Sequence, residues 1–336
     1  MAKSVRLADI AAKLGISTVT VSKGLRGKDG VSEKLREEIF RTAEEMGYSL
    51  KAASESSGSD SLTIGIVTAE RYLKRGSSFY WSLYERLLTH LSAQGDYALL
   101  EVIPDEDERL LRVPRLVQEK KADGMIIMGN FEETYLKTML ELPIPTNLLD
   151  VFHAWIPCDT VISDGYYGMY TMTCYLIEQG HRRLKYVGTV GETSSITDRY
   201  FGFSRALLEA GLPVSMDNVI PDRDADGKVD TKLPDDIAQT TDVLVCNCDF
   251  TAYDVLTKLT AMGLQVPQDI SLVGFDNYIL SEMSNVKITT YEVDQDAMAA
   301  ASAAQIRARI MDGSANRKLQ VISGRLLLRD SVLPLK

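Results

Sequence analysis

From residue 62 onward, short apolar runs alternate with longer stretches in which apolar residues return every three or four positions. This alternation constrains the fold more than any other feature of the chain. Runs at 62–68, 97–103, 124–128, 161–163, 185–189, 242–246 and 271–275 have the length and continuous apolarity of buried parallel strands. Between them, 80–93, 110–121, 168–179, 199–210, 252–262 and 298–311 carry helical spacing. Such a chain folds as doubly wound parallel α/β sheets. The strands divide around residue 164, so two similar lobes are expected. Ligands of open α/β sheets sit beyond the carboxyl ends of the strands, here in a cleft between the lobes. Asp150, Asp164 and Asp276 stand just past such ends.

The first sixty residues follow a different rule. Val5, Leu7, Ile10, Ala11 and Leu14 predict a helix over 7–14, and Gly15 suits the left-handed position that ends it. Ser17 suits the N-cap of a second helix reaching about residue 25. A third helix, capped by Ser32, places Leu35, Ile39, Ala43 and Met46 on one stripe and stops at Gly47. Two short helices joined by a tight glycine turn and backed by a third form a helix-turn-helix headpiece; a plain three-helix bundle is the alternative. The second helix opens with small side chains that let its N-terminus enter a major groove. The methyls of Thr18 and Val19 can meet a thymine methyl, and Lys23 can reach a guanine edge. Ser17, Thr20 and Ser22 suit phosphates. The net charge of −10 conceals a segregation. Residues 1–30 hold six basic and two acidic groups, whereas residues 58–336 hold 27 basic and 39 acidic. Positive charge is concentrated where DNA would bind, and the acidic bulk is repelled from it.

The run Arg6-Leu-Ala-Asp-Ile-Ala-Ala-Lys-Leu-Gly-Ile-Ser-Thr-Val-Thr-Val-Ser-Lys-Gly-Leu, followed by Val31-Ser32 and Glu45-Met-Gly-Tyr48, closely resembles the headpiece of the lactose/galactose repressor family. The resemblance implies that Thr18, Val19 and Lys23 read bases. Arg6 joins Ser17, Thr20 and Ser22 as a further DNA-binding residue. The chain departs from the pattern at 49–61, a Ser-rich linker. Family members carry Pro-Asn there and then a hinge helix whose Leu wedges into the minor groove. Here Leu50-Lys51 replace Pro-Asn, and Ser57 falls near the Leu, so minor-groove insertion is assigned to no residue.

The resemblance continues through Asp164-Gly165, Asp198-Arg-Tyr-Phe-Gly202, Cys246-Asn-Cys-Asp-Phe-Thr-Ala252, Val266-Pro-Gln-Asp-Ile-Ser-Leu-Val-Gly-Phe-Asp276 and Thr289-Thr290. It implies a periplasmic-binding-protein-like effector domain of two lobes. The expected plan is a headpiece at 1–48, a hinge at 49–61, a first lobe at 62–163 plus about 291–321, and a second at 164–290 plus about 322–336. By the same resemblance Arg199 would grip ligand hydroxyls, and Asp164 and Asp276 would accept their protons. Cys248 stands where the family has a sugar-contacting Asn, beside a retained Asp249. Phe79, Tyr80, Trp81, Phe152 and Tyr166 are candidates for a wall against a sugar face, with Tyr80 and Phe152 the favoured pair.

Other signals carry less. Asp222, Asp224, Asp226 and Asp230 repeat the start of a calcium loop, but position twelve is Leu233. A solvated loop is the main reading, with calcium left open. Cys246 and Cys248 could hold a soft metal, although buried strand cysteines account for them. Nucleophile-elbow, Walker, zinc-protease and dinucleotide motifs are all missing, so neither an enzyme nor a cofactor is expected. No apolar run is long enough to span a membrane, and no secretory h-region follows the N-terminus, so a cytoplasmic protein is expected. The implied function is a DNA-binding regulator, a repressor, controlled by a carbohydrate-like effector in the interlobe cleft. Its operator is a pseudo-palindrome read by a homodimer, because one headpiece offers little contact area and the last residues carry no heptad for a larger assembly. One alternative is control by a protein co-regulator docking at Arg71, Lys74 and Arg75. Another is an enzyme or solute-binding protein with an added DNA module.

Overall fold

The computed structural model describes residues 7–25, 31–46, 61–73, 79–224, 227–277, 285–313 and 316–335. The chain divides into two compact units, the headpiece in one and both sheets in the other.

In the headpiece, α1 (Leu7–Leu14), α2 (Thr18–Leu25) and α3 (Glu33–Glu45) form where the apolar spacing predicts them. Gly15 takes φ +65° at the turn, and a Cβ there would meet nothing within 4 Å, so the backbone conformation itself requires glycine. Ser17 Oγ accepts from Thr20 N at 3.0 Å and caps α2. Ile10, Ala11, Val21, Ile39 and Ala43 are the buried core, with Leu14, Leu25, Leu35 and Met46 packed around them. A Cβ at Gly24 would lie 2.5 Å from Ile39 Cδ1, so this glycine lets α2 settle onto α3.

The second unit contains two six-stranded sheets. In the first, β1 (Thr63–Ala69) lies between β2 (Tyr97–Ile103) and β3 (Gly124–Met128). The order continues through β4 (Thr146–Leu149) and β5 (Asp159–Ser163) to the chain's β11 (Leu319–Ile322). In the second, the order is β7 (Val219–Ile220), β6 (Leu184–Val187), β8 (Val243–Cys246), β9 (Ser271–Asp276), β10 (Thr289–Glu292) and β12 (Arg325–Leu327). All pairings are parallel except β10 with β12, an antiparallel edge that the all-parallel expectation lacked. The longer helices are α4 (Phe79–Ala93), α5 (Glu133–Leu140), α6 (Gly165–Glu178), α7 (Ser194–Glu209), α8 (Asp249–Ala261) and α9 (Gln295–Met311). The chain passes between the sheets after β5, after β10 and after β11, so its last stretch serves both.

Two differences from the sequence reading have plain causes. The helix expected over 110–121 is instead a pair of single turns, Asp105–Arg109 and Arg115–Gln118, divided at Pro114. Strands β4, β7, β10, β11 and β12 were not predicted. They are two to four residues long, and β11 is an exposed edge, so none has a long apolar run. Among the described residues, no helix is long and apolar enough to cross a membrane.

Candidate functional site

In the headpiece, α2 is anchored on one side and open on another. Val21 anchors α2 in the core, while Lys23, two positions on, is exposed. Ser17 is exposed and Thr20 is half-buried, and their hydroxyls lie 2.8 Å apart, so both hold the helix start. Thr18, Val19 and Ser22 belong to α2 by their backbones. Arg6 and the linker at 49–60 lie outside the described residues.

The second unit gathers its charged groups at the strand ends facing the other lobe. Thr193 caps α7 by accepting from Ile196 N at 3.2 Å. The helix then presents Arg199, which is only 5% exposed. Its Nη1 donates to Asn247 O at 2.7 Å and its Nη2 to Asp276 Oδ1 at 2.9 Å. The guanidinium lies over the Phe275 ring, 4.0 Å from the centroid. Nε is buried and has no hydrogen-bond partner. Two glycines set this position. A Cβ at Gly202 would come within 2.1 Å of Tyr166 O, and one at Gly165 within 3.3 Å of Arg199 Cγ. The Arg-x-x-Gly spacing thus lets α7 touch α6 backbone to backbone beneath the arginine.

Asp276 ends β9 with φ +102° and Asp150 follows β4 with φ +61°, both in the left-handed region. Non-glycine residues held there mark strain that the surrounding structure must support. Burial pushes the Asp276 carboxyl up to about 6, Arg199 opposing the rise and Asp150 adding to it. From the first lobe, Tyr80 donates its hydroxyl to Asp150 Oδ2 at 2.8 Å. Burial raises the Asp150 carboxyl above its ordinary range, against the Tyr80 hydrogen bond and the Arg199 charge. Asp150 and Tyr80 thus act electrostatically on Arg199 and Asp276 across the lobes. Cys248 caps α8, its sulfur 3.5 Å from Thr251 N. Burial, and then the charge of Asp276, push the thiol up to about 11, so it is a neutral group at this end of the cleft.

Several expected site residues go elsewhere. Asp249 is fully buried inside the second lobe, accepting from Thr290 Oγ1 at 2.8 Å beneath Gly274. That contact ties α8 to the sheet. The ring neighbours of Tyr80 are Tyr72, with centroids 4.4 Å apart, and Phe79, rather than the half-buried Phe152. Asp164 caps α6, accepting from Tyr167 N at 3.0 Å. Asp222 is fully buried, accepting from Thr189, Asn247 and Thr251 to fix the loop after β8. Asp230 pairs with Lys232 and Lys258, and Asp224 accepts from Lys228 N. Asp226 lies outside the described residues. These aspartates therefore turn to separate partners, and among the described residues no His, Cys, Asp or Glu cluster suits a metal ion. Arg71, expected to be part of a free basic patch, is engaged by the buried Glu108, at 2.5 and 3.3 Å, and donates to Asn130 O. Lys74 and Arg75 lie outside the described residues. Sequence reasoning passed over Tyr72 and gave Asp150 no ligand role. Asp150 is one of three carboxylates it noted past strand ends, and that position was the available signal.

The family of bacterial regulatory proteins named for lacI matches residues 6–50, and a periplasmic-binding-protein-like domain matches residues 173–332. The HTH-type transcriptional repressor PurR of Vibrio vulnificus is 25% identical over 332 residues, covering 96% of this chain and 97% of its own. Catabolite control protein A of Priestia megaterium is 26% identical over 294 residues, covering 85% and 87%. The chain carries a lacI-family helix-turn-helix domain and a periplasmic-binding-protein-like domain. It is a DNA-binding transcriptional regulator, and its relatives are repressors and regulators rather than enzymes. Two solved structures share the regulator's fold. The complex of the transcriptional regulator CelR with cellobiose has a TM-score of 0.69 at 23% identity and covers 97% of this chain and 99% of that one. The lac repressor dimer bound to operator and the anti-inducer ONPF has a TM-score of 0.65 at 19% identity, covering 98% and 100%.

Proposed function

We propose that this lacI-family regulator is a repressor whose operator affinity is set by a small polyhydroxylated ligand, a sugar or sugar derivative, held between its lobes. The observation that carries the reading is the pairing of Arg199 and Asp276 from one lobe, opposite Tyr80 and Asp150 from the other. A ligand bridging them changes the free energy of closure, and it acts on DNA only through its different affinities for the two states. In the proposed plan residues 1–48 read DNA, 49–61 join the parts, and the lobes are 62–163 and 164–290, each completed by the last stretch of chain. Lys23, Thr18 and Val19 read bases, and Arg6, Ser17, Thr20 and Ser22 position the helix. Two copies read a pseudo-palindrome. Leu88 on α4 and Tyr97 and Leu99 on the edge strand β2 are exposed apolar groups, as are Phe250 and Tyr253 on α8, and they support pairing of the effector units. The cellobiose of the CelR complex, a neutral sugar, is consistent with this ligand class.

A thermal-shift screen of sugars and sugar phosphates tests the proposal, because a ligand of the native state raises apparent stability with occupancy. A hit that stabilises the wild type and leaves Arg199→Ala unmoved is expected. A hit that stabilises both equally places the ligand elsewhere.

A further inference from the structure

The carboxylates of the cleft do not have equal partners. Asp276 has its cation, with Arg199 Nη2 at 2.9 Å. Asp150 has a hydrogen bond from Tyr80 through Oδ2 and, among the described residues, no ion pair within 4.0 Å. Tyr80 is held by the close Tyr72 ring, and both tyrosines abut Gly129, where a Cβ would lie 2.9 and 3.0 Å from them. The carboxylate is therefore fixed in place, at a strained φ of +61°. The other lobe contributes Arg199, whose buried Nε has no hydrogen-bond partner among the described residues. Asp164 and Asp198 are also near, the latter feeling both Asp164 and Arg199. The Arg199 guanidinium thus interacts with the charges of Asp276, Asp150 and Asp198, and Cys248 adds a neutral thiol in place of a stronger donor.

Resting on the proposed ligand-binding cleft, we infer that its occupant carries a protonated amine seated on Asp150, with a hydroxyl or ring oxygen on Arg199 Nε. The class is an amino sugar or a similar hydroxylated amine. Arg199 acts on Asp150 only at longer range, its own contact being with Asp276, and an ammonium would supply a direct ion pair and up to three donors. Burial still raises the Asp150 carboxyl above its ordinary range. A phosphorylated sugar would bring its dianion against Asp150 and Asp276 instead, and Arg199 is already committed to Asp276.

The test compares matched ligands on the full-length protein by thermal shift and calorimetry. Glucose, galactose and mannose are each set against the 2-amino sugar and the 6-phosphate. The expected result is that at least one amino sugar binds at least ten-fold tighter than its neutral partner, and that Asp150→Asn removes this preference. The phosphates are expected to bind weakest. Should Asp150→Asn fail to fold, the wild-type protein carries the same test through pH. Affinity for the amine is expected to fall as pH is lowered, because burial raises the Asp150 carboxyl above its ordinary range and protonation removes its charge, while affinity for the neutral partner holds. Neutral sugars binding as tightly as amines overturn the inference and leave the cleft proposal standing, as does a preference for phosphates. Silence from the whole series counts against both.

Discussion

At the residue scale, the effector unit depends on a buried guanidinium and the carboxylates around it. Removing one member of such a cluster exposes the others to uncompensated burial, which costs about 3–5 kcal/mol. Arg199→Ala is therefore expected to lose that much stability in denaturant titration, along with ligand response, because it leaves Asp276 beside Asp150 with no cation. The pH dependence has a defined sign. Asp276 carries a pKa raised to about 6 in the folded protein. A carboxyl with a raised folded value favours the folded state while protonated, and that contribution fades as pH climbs from the unfolded value of about 4 through 6. Asp276→Asn removes the titration, so the melting-temperature difference between wild type and variant should fall across this interval and flatten above pH 7. A difference that rises over the same interval contradicts the assignment. In the headpiece, Lys23→Ala is expected to relax specificity at one base pair per half-site, by about 1–3 kcal/mol in operator-variant titrations. An unchanged sequence preference would remove Lys23 from the reading face.

At the element scale, the decisive contact is α6 on α7. With Tyr166 O only 2.1 Å from where its Cβ would stand, Gly202→Ala must push two helix backbones apart. Overpacking of this kind costs about 1–3 kcal/mol, and it would shift Arg199 with its helix. We expect a stability loss of that size together with weakened ligand binding. Full stability and affinity would show that the helices separate at no cost. The sequence revealed long, strongly patterned elements well: the three headpiece helices, β1, β2, β3 and β9, and α4 through their apolar spacing. It hid β4 and β10–β12, whose few residues become strands only by pairing with distant neighbours. The same holds within the site. Arg199 and Asp276 were legible from motif and position. The engagement of Asp249 and Asp222 inside the second lobe was not, because their partners Thr290 and Thr189 lie 41 and 33 positions away. Periodicity reports which face of an element is buried, not which distant hydroxyl will meet a carboxylate there.

At the scale of the whole molecule, function follows from charge segregation and from three crossings between the sheets. The cationic first thirty residues and the acidic remainder give DNA one place to bind. In the proposed function, the crossings after β5, β10 and β11 are the hinge about which the lobes would move while each keeps its own sheet. In that same reading, a ligand that joins Asp150 to Arg199 would bias that motion. Couplings of this kind are typically about 1–3 kcal/mol, a change of roughly 5–150-fold in affinity. The most direct measurement is a fluorescence-anisotropy titration of a labelled operator, selected from random DNA by the full-length protein, with and without a ligand that stabilises it. The expected result is a shift in operator Kd of at least five-fold, absent in Arg199→Ala. A ligand that occupies the cleft and leaves the operator Kd unchanged would contradict the coupling of cleft to headpiece.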